Sequence, residues 1–406
     1  MIEASCQLDL FESVLGAYRD GEARSNADLY EQLRDTLSIP SKAWDERLPI
    51  GQSGELHNPL RRRLRWYQQT LKCAGIIERV PERRGVWQAT AKGKEALTPA
   101  PPDKALVAFS TELGVALWAD CKSFRSLHEP ITLILSSPPY PLRQPRAYGG
   151  PTVDAYVDFI CEALEPLVRH LTPEGSLLLN VSQDIFIPGS PARSLYREKL
   201  MIALHDDFGL APMDSLVWWN NSKPPGPTAW ASKKRVHLNV AWEPLLWLCR
   251  DPFRVKADNR RVLVPHTARH QKLIANGGET RDAVYSDGAY RIRPGSFGSP
   301  TPGRIPKNVL AFGHRCADQD RYRAFARQQG LPVHAAAMPL ALASFLVKWL
   351  TEPGDLVCDP YGGTVTTGRA AEINGRRWVV TEKFVEYLLG ARGRFDELDS
   401  DPLATT

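Results

Sequence analysis

A chain of 406 residues with 43% hydrophobic and 24% charged side chains can bury one large core and still hold a second unit. No run approaches the roughly twenty apolar residues needed to span a bilayer, and Met1-Ile2-Glu3-Ala4-Ser5 lacks a basic-then-apolar leader pattern, so a cytoplasmic protein without a membrane partner is expected. Seven cysteines stand singly with no Cys-x-x-Cys pair, which suggests neither a bound metal nor a disulfide framework.

Residues 1–98 read as a separate unit. Leu8–Leu15 and Asp28–Leu37 have helical spacing, with Ser25 or Asn26 as N-cap. A third helix covers Leu60–Ala74, and Gly75–Val80 and Arg84–Thr90 read as two strands around a charged turn. Three helices and a hairpin make a winged helix, and Ala100-Pro101-Pro102-Asp103 is a short linker.

From about Val107 the pattern changes to strands alternating with helices, the signature of a mostly parallel α/β sheet. Ala116–Asp120, Ile131–Leu135, Gly175–Val181, Leu216–Asn220 and Trp242–Leu248 read as strands; Tyr156–Leu171, Ser194–Phe208 and His334–Leu350 read as helices. Residues 286–306 hold four Gly and four Pro and read as an irregular insertion. Two more strands, Asp355–Cys358 and Trp378–Thr381, close the pattern. The resulting division is 1–98, a first half at 107–250, an insertion at 251–315 and a second half at 316–396.

Two turns carry the chemistry. Ser137-Pro138-Pro139-Tyr140 follows one buried strand and Asp359-Pro360-Tyr361-Gly362-Gly363-Thr364 follows another. Strand carboxyl ends are where open α/β sheets bind ligands. In the second turn the glycines let the backbone approach a ligand closely, and the Gly-x-Gly-x-x-Gly dinucleotide pattern is not matched, which favours a nucleoside with an amino-acid tail over a phosphate. Asp359 can take the ammonium of such a ligand, and Thr364 or Thr367 with the following helix start can serve its carboxylate. Glu382 ends the next strand 23 residues after Asp359, placed to accept two ribose hydroxyls; Asp120 ends another, near the base.

These turns resemble the catalytic and S-adenosylmethionine loops of amino-group DNA methyltransferases. Residues 107–390 as a whole resemble the PvuII-type cytosine-N4 family, through Ser137–Tyr140 with Tyr148-Gly149, Trp218-Trp219-Asn220-Asn221-Ser222-Lys223, Asn259–Leu263 and His334 through Glu382. The resemblance implies a Rossmann-like S-adenosylmethionine-dependent fold, circularly permuted so that the catalytic half precedes the cofactor half. It adds Tyr361, Gly362, Gly363 and His334 to the cofactor residues. It makes Ser137, Pro138, Pro139 and Tyr140 the catalytic turn: the serine hydroxyl and the Pro138 carbonyl pull on the amino hydrogens, and Tyr140 offers a stacking face to an extruded base. Adenine-N6 enzymes of this group usually carry Asp at the first position, so Ser137 favours cytosine N4 without excluding adenine. No cysteine follows a proline, which argues against a covalent C5 mechanism. Val365 and Ala335 depart from the family pattern as mild changes in backbone freedom. Asn58–Leu97 resembles the N-terminal module of Mrr-type restriction proteins, including the Arg61-Arg62-Arg63 helix.

The formal charge of +5 is uneven: residues 251–315 hold twelve Lys/Arg against five Asp/Glu, a local +7 that suits a polyanion. Arg254, Lys256, Arg260 and Arg261, then Arg291, Arg293, Arg304 and Lys307, are expected to contact double-stranded DNA, with Lys233-Lys234-Arg235 as a second edge. A cognate restriction endonuclease in the host is an expected context. Two rivals remain: an RNA or small-molecule methyltransferase, and a DNA-binding regulator on a catalytically silent fold. The large basic insertion disfavours a small substrate, and the intact Ser137, Tyr140, Asp359 and Glu382 disfavour silence.

Overall fold

The computed structural model describes residues 10–395 apart from 12, 38, 50–54, 91–96, 144–145 and 221. Leu8, Asp9 and Glu12 of the first predicted helix, and Asn221, lie outside the described residues.

The N-terminal unit is a winged helix. Ser25 caps helix Asn26–Thr36 in a reciprocal box: its hydroxyl accepts from Asp28 N–H at 3.2 Å and its own N–H donates to the Asp28 carboxylate at 3.0 Å. Asn58 caps helix Pro59–Cys73 by accepting from Arg61 N–H at 2.7 Å, and its amide donates to the carbonyls of Ala43, Trp44 and Glu46. Leu60, Leu64 and Leu71 of that helix are buried while Arg62 and Arg65 point outward. Strands Ile77–Arg79 and Val86–Ala89 pair with Arg24–Ser25 in a three-stranded sheet.

This unit is joined to the larger domain by packing as well as by the linker. The Phe11 ring lies 5.1 Å from Trp118. The buried Glu386 carboxylate accepts from Thr98 N–H at 2.8 Å and faces Arg19 at 3.6 Å.

The large domain is built on one nine-stranded sheet: β1 Leu106–Ser110, β2 Gly114–Trp118, β3 Ile131–Ser136, β4 Leu171–Asn180, β5 Ala211–Trp219, β6 Trp242–Cys249, β7 Val309–Ala311, β8 Leu356–Asp359 and β9 Arg377–Glu382. Their spatial order is β7-β5-β6-β4-β3-β8-β9-β2-β1. Strands β2, β9, β8, β3 and β4 are mutually parallel, β6 runs against β4 and β5, and β1 runs against β2. Alternate residues of β3 face opposite layers, as a strand requires. Leu133 and Leu135 join the core shared with helices Leu340–Leu350 and Val385–Arg392, and Ile134 joins the core under helices Tyr156–Val168 and Tyr196–Asp206; Ile131 also joins the latter, because the register shifts between it and Leu133. All six residues of β3 and all four of β8 are buried, the composition of strands covered on both faces.

β3 and β8 are central neighbours, with Leu133 opposite Val357. The chain leaves β3 towards β4 on one side and leaves β8 towards β9 on the other. Their carboxyl ends therefore flank a crevice where the order reverses. The catalytic-half strands come first in the chain, so the order is permuted as expected.

The structure corrects several boundaries. The helix predicted over His334–Leu350 begins at Leu340, because Pro339 disfavours helical geometry at the residue before it. The segment read as wholly irregular contains the hairpin Ala283–Tyr285 with Tyr290–Ile292. Edge strands β1 and β7 escaped the sequence reading; both are short and half exposed.

Replacing Asn58 with Ala removes the cap and three further donations, and should cost the N-terminal unit about 1–2 kcal/mol. A lowered urea midpoint followed by tryptophan fluorescence checks this, and an unchanged midpoint contradicts it.

Candidate active site

The crevice at the β3 and β8 ends is a cavity of about 390 Å³. Ser137, Pro138, Pro139, Tyr140, Asp359, Tyr361, Gly362, Gly363, Thr364, Thr367, Glu382, Asp120 and His334 all line it.

Asp359 ends β8, 4% exposed, and its carboxylate is held from three sides. Ser136 donates to one oxygen at 2.5 Å, Thr367 to the other at 2.7 Å, and Tyr361 N–H at 3.0 Å. Burial raises its pKa against these three donors. Glu382 ends β9, and each of its oxygens accepts one backbone N–H, from Gly363 at 2.8 Å and Phe384 at 2.9 Å. Burial pushes it up to about 7. Gly362 has no room for a side chain, since a Cβ would sit 2.0 Å from Val380 Cγ1, and Gly363 adopts φ +52°. Val365 is a different matter: it is fully buried at φ 57°. That left-handed geometry costs a β-branched residue roughly 1–2 kcal/mol, so its departure from the family pattern is strained rather than mild.

Asp120 caps a short 3₁₀ turn through Lys122 N–H at 3.1 Å and turns towards the cavity. His334 stacks on Tyr148 at 5.0 Å and meets the edge of Tyr387 at 4.6 Å. Its burial lowers the imidazole to about 4, so the ring is neutral. Nδ1 accepts from Ala336 N–H at 3.3 Å, which leaves Nε2 as the N–H donor, on the Gly363 side.

On the catalytic side, Ser137 donates to Asn180 Oδ1 at 3.2 Å, which turns its lone pairs outward. Tyr140 Oη lies 2.8 Å from the same Asn180 oxygen and 2.9 Å from Glu243 Oε2, and Glu243 pairs with Lys223 at 2.9 Å. Burial raises the Tyr140 hydroxyl well above the usual phenol range, with Glu243 adding to the effect. The Tyr140 ring is thereby held in place at the cavity wall.

Sequence reasoning missed Asn180, Glu243, Lys223 and Arg394. Asn180 ends β4 and Glu243 stands near the start of β6, so a polar residue at the end of an apolar strand was the available signal. Arg394 gave none. It is completely buried, donates to the Thr364 carbonyl and to the hydroxyls of Thr364 (3.2 Å) and Thr366 (3.1 Å), and pairs with Asp318.

The expected DNA residues divide. Arg254 pairs with Glu174, Lys256 with Asp355 and Glu352, and Arg261 with Glu352 and three carbonyls; Arg260 is exposed but paired with Asp258. Asp355 precedes β8 and Glu174 lies early in β4, so Arg254, Lys256 and Arg261 sit at the end of the sheet opposite the cavity. Carboxylates thus already engage all four; Lys256 and Arg261 are the more buried, while Arg254 and Arg260 stay largely exposed. Lys233 and Lys234 are exposed on the β5–β6 connection, which reaches the cavity edge, since Glu243 just beyond it touches Tyr140. Arg291 and Arg293 are exposed on the hairpin of the insertion, with Arg291 paired to Asp282.

The site thus brings two strand-end acids, a glycine turn and the Ser-Pro-Pro-Tyr turn into one crevice, the layout expected of an amino-group methyltransferase. Residues 131–392 match the family model described as DNA methylase (N6/N4), and residues 9–98 match the Mrr N-terminal domain. The chain belongs to the N6/N4 DNA methylase family and acts on DNA as a methyltransferase. It is 32% identical over 273 residues to the type II methyltransferase M.PvuII of Proteus hauseri, covering 66% of this chain and 78% of that protein. Over 276 residues it is 23% identical to the DNA adenine methyltransferase YhdJ of Escherichia coli K12, covering 66% and 77%. The solved PvuII DNA methyltransferase (cytosine-N4-specific) superposes with a TM-score of 0.56 at 27% identity, covering 70% of this chain and 87% of that one. The methyl donor of this family is S-adenosylmethionine, and the residues fit it: Glu382 keeps lone pairs for a ribose diol, and Asp359, Thr364 and Thr367 bring polar groups to the cavity.

Because the folded pKa of Glu382 lies above its ordinary 4.5, the group favours the folded state most at low pH, and that contribution fades as pH rises from 4.5 towards 7. A ribose diol hydrogen-bonds more strongly to the ionised carboxylate, which accepts through both oxygens, than to the protonated form. Cofactor affinity should therefore rise between about pH 6 and about pH 8 with proton release, a slope that Glu382→Gln abolishes; calorimetry in buffers of different ionisation enthalpy measures both. Arg394→Met strands the Asp318 carboxylate and should lower stability by about 3–5 kcal/mol while weakening cofactor binding, read by thermal unfolding and calorimetry.

Proposed function

We propose that this protein transfers the methyl group of S-adenosylmethionine to the exocyclic N4 of cytosine in duplex DNA, directly and on a flipped-out base, as the modification arm of a restriction-modification pair. The observation that carries the reading is the state of Ser137. Its hydrogen is engaged by Asn180 Oδ1, so the hydroxyl meets the substrate amine as an acceptor, beside the Pro138 carbonyl, in the same cavity as the cofactor residues. Two acceptors drawing on the amino hydrogens free the nitrogen lone pair from ring conjugation and aim it in line. A hydroxyl rather than a carboxylate at this position suits the cytosine amine, and the cytosine-N4 specificity printed for the solved PvuII enzyme supports it. Tyr140, its hydroxyl tied back and its ring in the wall, offers the stacking face for the extruded base. Lys233 and Lys234 on the β5–β6 connection, with Arg291 and Arg293 on the insertion hairpin, supply positive charge for the phosphates.

The similarity to an adenine methyltransferase favours adenine N6 as the second reading. Digesting methylated duplex to nucleosides and weighing them decides between the two: N4-methylcytosine is expected, and N6-methyladenine overturns the base assignment. Ser137→Ala should slow methyl transfer by about 10²-fold with cofactor and DNA affinities nearly unchanged; a rate near that of the unaltered protein refutes its role.

A further inference from the structure

Direct transfer to an amine leaves the nitrogen with one proton too many, and the catalytic turn must dispose of it. The groups nearest the amine cannot keep it: Ser137 and Tyr140 are neutral hydroxyls, and Asn180 is an amide. Beyond them stands a carboxylate. Ser137 Oγ lies 3.4 Å from Tyr140 Oη, either of which can donate, and Tyr140 Oη lies 2.9 Å from Glu243 Oε2. The far oxygen of Glu243 is paired with Lys223 at 2.9 Å, and both side chains are about one-fifth exposed.

We propose that Glu243 is the proton acceptor of the reaction, reached by a relay through Ser137 and Tyr140; the proposal rests on the methyltransferase reading above and holds for either target base. The amine lone pair forms the new N–C bond as the donor C–S bond breaks onto sulfur. The methylated nitrogen, now cationic, gives one N–H proton to Ser137 Oγ. Ser137 passes its own hydrogen to Tyr140 Oη, and Tyr140 passes its own to Glu243 Oε2. One proton has moved from nitrogen to carboxylate, and both hydroxyls end as they began. Asn180 Oδ1 lies within hydrogen-bond distance of both hydroxyls; for the transfer Ser137 turns its hydrogen from Asn180 to Tyr140, and Tyr140 directs its own to Glu243. Lys223 holds the far oxygen of Glu243 in place, and the partial exposure of the pair lets the proton leave to solvent afterwards. Such general-base assistance is worth on the order of 10²–10⁴-fold in rate.

The test is the single-turnover rate of methyl transfer to duplex DNA, followed against pH with the full-length protein. Besides Lys223, Tyr140 and Tyr196, the titratable groups that sense Glu243 are Asp184 and His314, and all of them persist in a Glu243 variant. In Glu243→Gln, which keeps the hydrogen-bond acceptor but cannot take a proton, the rate should fall at least about tenfold and the acid-side decline should disappear. Tyr140→Phe, which keeps the ring, should show the same loss, and the double variant should be no slower than either single one. A Glu243→Gln rate equal to that of the unaltered protein, an acid limb that survives the substitution, or additive losses overturns the relay. Should Glu243→Gln fail to fold, judged by cofactor affinity, Tyr140→Phe alone decides: an undiminished rate sinks the relay. Mass analysis of the nucleosides separates the two readings, since N6-methyladenine made with the expected losses keeps the relay and discards only the cytosine assignment. No methylated base from the unaltered protein discards both.

Discussion

The hydrogen bond from Ser136 to Asp359 organises this molecule. It joins the last residue of β3 to the last residue of β8, and each is followed directly by one of the two chemically distinct turns. A serine hydroxyl and a carboxylate at 2.5 Å inside a buried sheet fix the relative height of the two strand ends, and therefore the separation of the Ser137 turn from the loop that follows Asp359. In-line transfer is sensitive to that distance. The rest of the scaffold serves to keep it: two core layers clamp β3 and β8 from both faces, and Arg394 ties the loop beyond Asp359 to helix Ala317–Gln328 through Asp318.

Electrostatics divides the crevice in a similar way. The cofactor half is a nest of buried acids whose carboxylates each accept backbone N–H groups, which lets them stay polar without a cation beside them. The catalytic half is a chain of neutral groups ending in an ion pair near the surface. On that side, charge appears only at the end of the chain, in the Glu243–Lys223 pair. The strained Val365 lies between the cofactor loop and the helix that follows it, its backbone in a geometry glycine would take without cost; the surrounding core, including the Trp378 ring packed on Gly368, holds it there.

Much of this was legible in the chain. β3 and β8 read as short, mainly apolar runs, and a Ser-Pro-Pro-Tyr turn after one together with an Asp-Pro-Tyr-Gly-Gly turn after the other points to a ligand crevice. Glu382 was legible for the same reason, as an acid that halts an apolar strand. The residues that were not legible act through partners distant in sequence. Arg394 looks like one more solvated arginine until Asp318 and Thr364 fold around it, and Glu243 acquires meaning only from Tyr140. The ion pairs of Arg254, Lys256 and Arg261 have the same origin. Local positive charge shows that a segment can attract phosphate, but the carboxylates at the start of β4 and β8 compete for it, and their position is a property of the tertiary fold.

The permuted order has a consequence for how the protein comes into being. The partners Ser136 and Asp359 are 223 residues apart, and β8 and β9 are the last strands of the sheet to be synthesised. Until they arrive, β2 and β3 have no neighbour between them, and each exposes a row of unpaired backbone groups along the edge that will become the middle of the sheet. The crevice cannot exist in a nascent or truncated chain that stops before β8, however complete its catalytic turn. Closure of the central strands is a long-range event of the slow-folding kind, and an expression host that hurries it invites edge-to-edge association. Assembly of the sheet and assembly of the active site are thus one step, and no partly finished version of this protein can touch DNA with a working centre.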